Sequence, residues 1–144
     1  MADRTADRIE ITELLHRYSW AMADRDWEAW QAVFTPTARV DATTAGGIAG
    51  TPAESAAWLA QTFAMFDVAI SHVGNVVIEF AADDAARVRT LFKMVMRVPA
   101  AAGDAAAQPT YMEACGWYQD SMCRTGDGWR IDDRFEQLVY MRPA

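Results

Sequence analysis

His72 is the side chain of this sequence best suited to acid–base chemistry. Imidazole titrates near neutrality and can give or take a proton at physiological pH, and the only other histidine is His16. Asp24, in a charged turn, is a second candidate base, because burial would raise the pKa of its carboxyl. The plainer interpretations are a strand histidine that faces solvent or a neighbouring subunit, and a solvated aspartate at a helix end. The sequence leaves both interpretations open.

The large apolar side chains are first of all core material. Their number, including 8 methionines, 6 tryptophans and 6 phenylalanines, also predicts an adaptable pocket for a flat or bulky hydrophobic molecule. Tyr18 lies on the apolar face of a predicted helix, and its hydroxyl either points into this pocket or bonds to backbone. The residues that we expect to contact a ligand here are Tyr18, Trp20, Trp58, Phe63, Phe92, Met94 and Met96.

Composition and charge exclude several classes of partner. The 144 residues carry a net charge of −7, with 52% apolar and 23% charged residues, which is ordinary for a soluble globular protein. Nucleic acids and anionic membranes need a basic surface that this chain lacks. No apolar run reaches the ~20 residues of a membrane span, and residues 1–8 lack the apolar stretch of a signal peptide. We therefore expect a cytoplasmic protein that binds neither nucleic acid nor membrane.

The two cysteines predict free thiols. Cys115 and Cys123 fall in one predicted strand, where an eight-residue separation corresponds to about 25 Å and excludes a disulfide. Free thiols are typical of a reducing compartment. No cluster of cysteine and histidine is present, so we expect no metal site.

Three helices are predicted in the first half of the chain. Apolar residues at helical spacing predict the first over residues 9–23. Asp26 is a suitable N-cap for the second, which we expect Pro36 to end. The string Thr51-Pro52-Ala53-Glu54 combines a capping box with a proline at the first helical position, which predicts a third helix. A short strand is predicted over residues 38–43.

The second half of the chain predicts an antiparallel sheet. Residues 71–80 are rich in valine and isoleucine, and residues 86–98 alternate between apolar and charged side chains, which indicates one buried face. Residues 110–124 and 129–141 form a hairpin around a glycine-rich turn, after a loop over residues 100–108. Helices followed by such a sheet exclude a doubly wound parallel fold. We predict one α+β domain over residues 1–144, a cone-shaped barrel in which three N-terminal helices pack in a curved antiparallel sheet and leave one deep pocket.

The order of these elements, with several local strings, resembles the SnoaL-like (scytalone dehydratase-like) branch of the nuclear-transport-factor-like, or cone, superfamily. This resemblance covers nearly the whole chain and implies the same cone fold. That fold hosts dehydratases, isomerases, cyclases, epoxide hydrolases and non-catalytic binders, so it does not select a function. The strings are Leu14-Leu15-His16-Arg17-Tyr18, Asp26-Trp27, Phe34-Thr35-Pro36 running into Ala38 to Asp41, Gly74-Asn75, Gly116-Trp117-Tyr118 and Asp127-Gly128-Trp129-Arg130-Ile131.

The catalytic pair of the dehydratase relatives is displaced by one residue at both positions. The family aspartate position holds Ala23, next to Asp24, and the family histidine position holds Ser71, next to His72. One residue is about 100° around a helix, and one step along a strand reverses the face unless a bulge restores it. The resemblance therefore implies either a shifted pair or its absence.

The resemblance also assigns pocket positions on the strands. The family register turns Tyr118 into the cone as a hydrogen-bond donor, with Asn75 inside and Asp120 deeper or at the rim. The opposite face of the sheet, which carries Trp117, is a subunit interface in relatives that form dimers or trimers. We accordingly expect a homodimer or homotrimer.

Our leading hypothesis is a lyase or isomerase that needs no cofactor. It would dehydrate, isomerise or cyclise a hydrophobic cyclic or polyketide-like small molecule by proton transfer. His72 would be the acid or base, Asp24 its partner, and Tyr118 with Asn75 would bind the carbonyl oxygen.

Two alternatives remain open at this stage. One is a pericyclic cyclase that acts by shape and orientation, and the other is a non-catalytic domain that binds a hydrophobic ligand. An epoxide hydrolase is disfavoured, because this chemistry needs a buried Asp–Arg–Asp set that activates water, and Arg97 and the nearby carboxylates do not show the expected spacing.

Overall fold

Three helices form one layer of the fold. The computed structural model describes residues 3–144, with helices α1 (Thr5–Asp24), α2 (Trp27–Ala32) and α3 (Pro52–Phe63). Helix α1 ends where Arg25 adopts a left-handed conformation (φ 60°). The predicted caps of the next two helices are confirmed, since the Asp26 side chain accepts a hydrogen bond from the Ala29 N–H and Thr51 forms a complete capping box. None of the helices in residues 3–144 is long and apolar enough to cross a bilayer.

Six strands form one curved sheet against these helices. They are β1 (Phe34–Asp41), β2 (Ala49–Gly50), β3 (Val68–Ala82), β4 (Ala85–Val98), β5 (Thr110–Thr125) and β6 (Gly128–Pro143), in the spatial order β2-β1-β6-β5-β4-β3. All neighbours are antiparallel except β1 and β6, which run parallel. The predicted α+β cone is therefore confirmed.

The first strand begins earlier than predicted. Helix α2 ends at Ala32 instead of running to Pro36, and Pro36 lies within β1. Between Phe34 and Arg39 the pairing of β1 with β6 is irregular. A proline lacks the N–H that a regular ladder requires, so this break is where the strand can hold one.

The inner face of the sheet is the core face. Along β4 the predicted alternation is confirmed: every second residue is buried, namely Val88, Thr90, Phe92, Met94 and Met96. Ile11, Leu14 and Leu15 of α1, each at most 1% exposed, belong to the same hydrophobic core. Both cysteines are free thiols, as predicted.

Two bulges in β6 decide which of its side chains point inwards. Ile131 pairs with Met122, but the next pair joins Asp133 to Ser121, so that Asp132 is an extra residue. Regular alternation from buried Trp129 and Ile131 would put Asp133 inside; the bulge puts Arg134 and Glu136 inside instead. The Thr35 hydroxyl donates to the Asp132 carboxylate over 2.7 Å. Bulges of this kind also bend and twist a strand.

A second bulge lies near the end of the same strand. Tyr140 pairs with Cys115 and Leu138 with Gly116, which leaves Val139 as the extra residue. The inward face therefore passes from Leu138 to Met141, a spacing of three instead of two, and both side chains reach the interior cavity.

Candidate active site

A cavity of about 230 Å³ lies inside the cone, between the helices and the inner face of the sheet. Half of the residues that line it are aromatic or methionine, and most of the others are small or aliphatic. Of the residues expected to contact a ligand, those that line it are Tyr18, Trp58, Phe63, Phe92, Met94, Met96 and Tyr118.

The expected proton-transfer pair does not form at this cavity. His72 is exposed on β3 and lies in an outer groove against α1, while Ser71, at the family histidine position, is the buried neighbour. The irregularity of β3 falls between Gly74 and Val77, after His72, so nothing restores its face. The assignment of His72 as the acid or base of this cavity was wrong.

The placement of Asp24 was wrong for a related reason. Helix α1 continues through Asp24, so this carboxylate points about 100° away from the position of Ala23. It is exposed and lines an outer groove with Arg17 and Trp20.

Trp20 and Asn75 also lie outside the cavity. Trp20 follows the inward Tyr18 by two positions, about 200° around the helix, and is 69% exposed. Asn75 is exposed in the left-handed conformation (φ 51°) at the bulge of β3. Asparagine tolerates that conformation better than most residues, so Asn75 allows the backbone to form the bulge instead of contacting a ligand.

A buried ion pair stands at the polar end of the cavity. Arg134 on β6 is the cross-strand partner of Asp120 on β5, and its Nε and Nη2 donate to the two carboxylate oxygens over 2.8 and 2.7 Å. Arg134 lines the cavity and Asp120 does not, so Asp120 lies behind the arginine instead of at the pocket surface. Although burial acts to lower the pKa of Arg134, the charge and hydrogen bonds of Asp120 hold it above its ordinary value.

Two tyrosines enclose the guanidinium. Its central carbon lies 4.3 Å from the ring centre of Tyr18 and 4.0 Å from that of Tyr118, in cation–π range. The two hydroxyls are 3.5 Å apart, and Phe92 stacks on Tyr118 at 4.8 Å. Burial raises the pKa of both tyrosines, so both keep their protons and can donate hydrogen bonds.

Glu136 is the carboxyl that faces the cavity. It is the cross-strand partner of Tyr118, which places the two side chains about 5 Å apart at Cβ, and it lies two residues from Arg134 on the same face. Burial raises the pKa of Glu136 to about 7, against the opposing charge of Arg134. This carboxyl is therefore available in both protonation states near neutral pH, as a general acid–base group must be.

Sequence reasoning missed Arg134 and Glu136, a guanidinium and a carboxyl that line the cavity. The sequence does carry one signal, since Arg134 and Glu136 are two apart and must share a face of β6. That signal does not say which face, because alternation from Ile131 gives the wrong answer once Asp132 is a bulge.

The sequence is similar to known proteins over most of its length. The model of the SnoaL-like domain family matches residues 3–134. An uncharacterized protein of Mycobacterium tuberculosis H37Rv is 36% identical over 139 residues, which covers 95% of this chain and 88% of that protein.

Two solved structures share the architecture. A Kribbella flavida protein superposes with a TM-score of 0.83 at 24% identity, over 97% of this chain and 95% of that one. The hexachlorocyclohexane dehydrochlorinase LinA-type3 of Novosphingobium barchaimii superposes with a TM-score of 0.74 at 17% identity, over 98% and 92%. At these identities the structures establish a common fold. With the family match over residues 3–134, we conclude that the chain belongs to the SnoaL-like domain family.

Proposed function

We propose that the protein is a lyase or isomerase that moves a proton on an apolar carbonyl compound. The observation that carries this proposal is the Glu136 carboxyl, with a pKa of about 7, on the wall of a mostly apolar cavity. Tyr118 stands opposite it and Arg134 beside it. A dehydrochlorinase among the proteins of like fold is in keeping with lyase chemistry.

The proposed reaction begins with ionised Glu136. It takes the proton from a carbon next to the substrate carbonyl, and the electron pair of that C–H bond moves to the carbonyl oxygen to form an enolate. The Tyr118 hydroxyl donates to this oxygen, and the fixed positive charge of Arg134 stabilises the negative charge that develops there. The protonated Glu136 then returns its proton, either to another carbon of the conjugated system or to a leaving hydroxyl that departs as water.

The volume of the cavity limits the size of the substrate. Pockets for drug-sized ligands are about 300–1,000 Å³, and this cavity is about 230 Å³. We therefore favour a molecule of one or two rings over a larger polyketide.

Proton exchange tests the proposal without knowledge of the natural substrate. We expect the protein to catalyse exchange of the α-hydrogens of 2-tetralone in D₂O, followed by NMR. Glu136→Gln should lower the rate about 10²-fold or more, the usual contribution of a general base, and His72→Ala should leave it unchanged. Exchange that persists in Glu136→Gln, or is lost in His72→Ala, would exclude the assignment. No exchange by the unmodified protein would favour a cyclase that acts by shape, or a binding protein.

One observation favours a second candidate. Arg134 is ion-paired with Asp120 across β5 and β6 and lies two residues from Glu136 on the cavity wall, an arrangement similar to the Asp–Arg–Asp set that was absent around Arg97. Such a set can activate a water molecule toward an epoxide. Incubation of styrene oxide in H₂¹⁸O distinguishes this hydrolase, because among the candidate functions it alone would form labelled diol faster than the uncatalysed hydrolysis.

A further inference from the structure

One nitrogen of the buried guanidinium has no protein partner. Nε and Nη2 of Arg134 are held by Asp120, whereas Nη1 has no hydrogen-bond acceptor among residues 3–144. The side chain is only 1% exposed. An N–H of a buried charged group that lacks an acceptor is destabilising, so its persistence requires an explanation.

The unpaired nitrogen cannot turn away to find a partner. The guanidinium is fixed on one side by the bidentate Asp120 contact and lies against the rings of Tyr18 and Tyr118. Nη1 lies on the edge of the guanidinium away from the Asp120 carboxylate, and Arg134 lines the cavity whereas Asp120 does not. A molecule inside the cavity is therefore the source of an acceptor that we consider.

The rest of the cavity defines the other end of that molecule. Opposite the polar corner formed by Arg134, Tyr118 and Glu136, the walls include Met94, Met96 and other apolar side chains. A fixed cation with a free N–H favours an oxygen that bears negative charge, whereas the methionine wall favours an apolar ring.

We infer that the cavity selects one- or two-ring apolar molecules that carry an oxygen able to hold negative charge, as an enolate or a phenolate does, and that Nη1 of Arg134 donates a hydrogen bond to this oxygen. Hydrocarbons and halocarbons of the same shape are excluded as preferred ligands, because they would leave Nη1 unpaired. This inference rests on the site of the proposed function but concerns binding, so it can be tested without turnover.

Binding of three naphthalene probes tests it by calorimetry. We expect 2-naphthol to bind at least about tenfold more tightly than naphthalene, as a hydrogen bond to a charged group implies. 2-Methoxynaphthalene, whose oxygen cannot ionise, should bind like naphthalene. Bound 2-naphthol should show the ultraviolet absorption of its anion below the pH at which it ionises in water. Equal affinities for all three probes would overturn the inference.

Variants locate the effect at Arg134. Arg134→Met alone would leave Asp120 as an unpaired buried charge and fold poorly, so the test uses Arg134→Met with Asp120→Leu, which removes both charges. The double variant should bind 2-naphthol and naphthalene alike, and a retained preference would refute the role of Arg134. Thr90→Val, which removes a buried hydroxyl outside the cavity, is the matched control and should keep the preference.

Glu136→Gln separates this inference from the proposed function. It should lose proton exchange while it keeps the preference for 2-naphthol. If Glu136→Gln keeps exchange, the proposed function fails; if the unmodified protein binds naphthalene as well as 2-naphthol, the binding inference fails.

Discussion

A carboxyl that titrates near neutrality should make the rate of proton exchange depend on pH in that range. Because the proposed base is ionised Glu136, kcat/KM for exchange should rise as pH increases through about 7 and level off above it. A histidine would give a similar profile, so the measurement needs His72→Ala beside it. An unchanged profile in that variant assigns the titration to Glu136, and a flattened one would assign it to His72.

The same carboxyl should also make the free energy of unfolding depend on pH, which can be measured without a substrate. The pKa of Glu136 is about 7 in the folded protein, whereas 4.5 is the ordinary value that applies to the unfolded chain. The folded protein therefore holds this proton more tightly, and the stabilisation is complete below pH 4.5 and lost as pH rises toward 7. The free energy of unfolding should fall over this range by at most about 3 kcal/mol. Urea unfolding of Glu136→Gln should show a smaller fall, and an identical fall would contradict the pKa shift.

At the scale of elements, Gly116 is the residue of β5 that the backbone of β6 approaches closely beside its second bulge. A Cβ at this residue would collide with the carbonyl oxygen of Gln137 and approach the backbone of Leu138. Gly116→Ala should therefore lower the free energy of unfolding by about 1–3 kcal/mol, in the range of overpacked sites. Gly74→Ala is the matched control, because a Cβ there has open space within another strand. Equal urea midpoints for the two variants would contradict the close approach.

Regular periodicity explains how much of the fold could be predicted. The helix caps at Asp26 and Thr51 and the buried alternation of β4 follow from local chemistry, and the structure has all three. Tyr118 lines the cavity as expected because β5 keeps its alternation around that residue.

The polar corner could not be predicted, because irregularities decide it. The bulge at Asp132 sets the facing of Arg134 and Glu136, and the extra residue is hydrogen-bonded to Thr35, 97 residues away in sequence. His72 shows the opposite case, since β3 has a bulge but places it after the histidine. A one-residue difference in position thus separates a catalytic assignment from an exposed side chain.

At the scale of the whole molecule, the outer face of the sheet remains partly apolar. Val77 and Leu91 are 56% and 44% exposed. Near them lie charges of both signs: the carboxylates are those of Glu79 on β3 and Asp133 on β6, and Arg87 and Arg89 lie on β4 between these strands. A face that carries both signs can complement a second copy of itself across a two-fold axis.

We propose that this outer face forms a homodimer. Light scattering after size exclusion should give twice the mass of 16.0 kDa, and Leu91→Glu should give the monomer. Trp20→Glu, at a residue of α1 that is 69% exposed, is the control and should leave the mass unchanged. A monomeric unmodified protein would refute the interface, and a trimer would refute the two-fold arrangement.

Because of the bulge at Asp132, β6 can lose one residue without a change in which of its side chains face the cavity. Because this residue is extra to the pairing, loss of its codon would restore an unbroken ladder and leave Arg134 and Glu136 on the inner face. Loss of the codon for Phe135 has no such compensation, and would turn Glu136 outwards. Over evolutionary time the gene can therefore change length at one point of this strand with little penalty, whereas the same event three codons later removes the acid–base group in a single step.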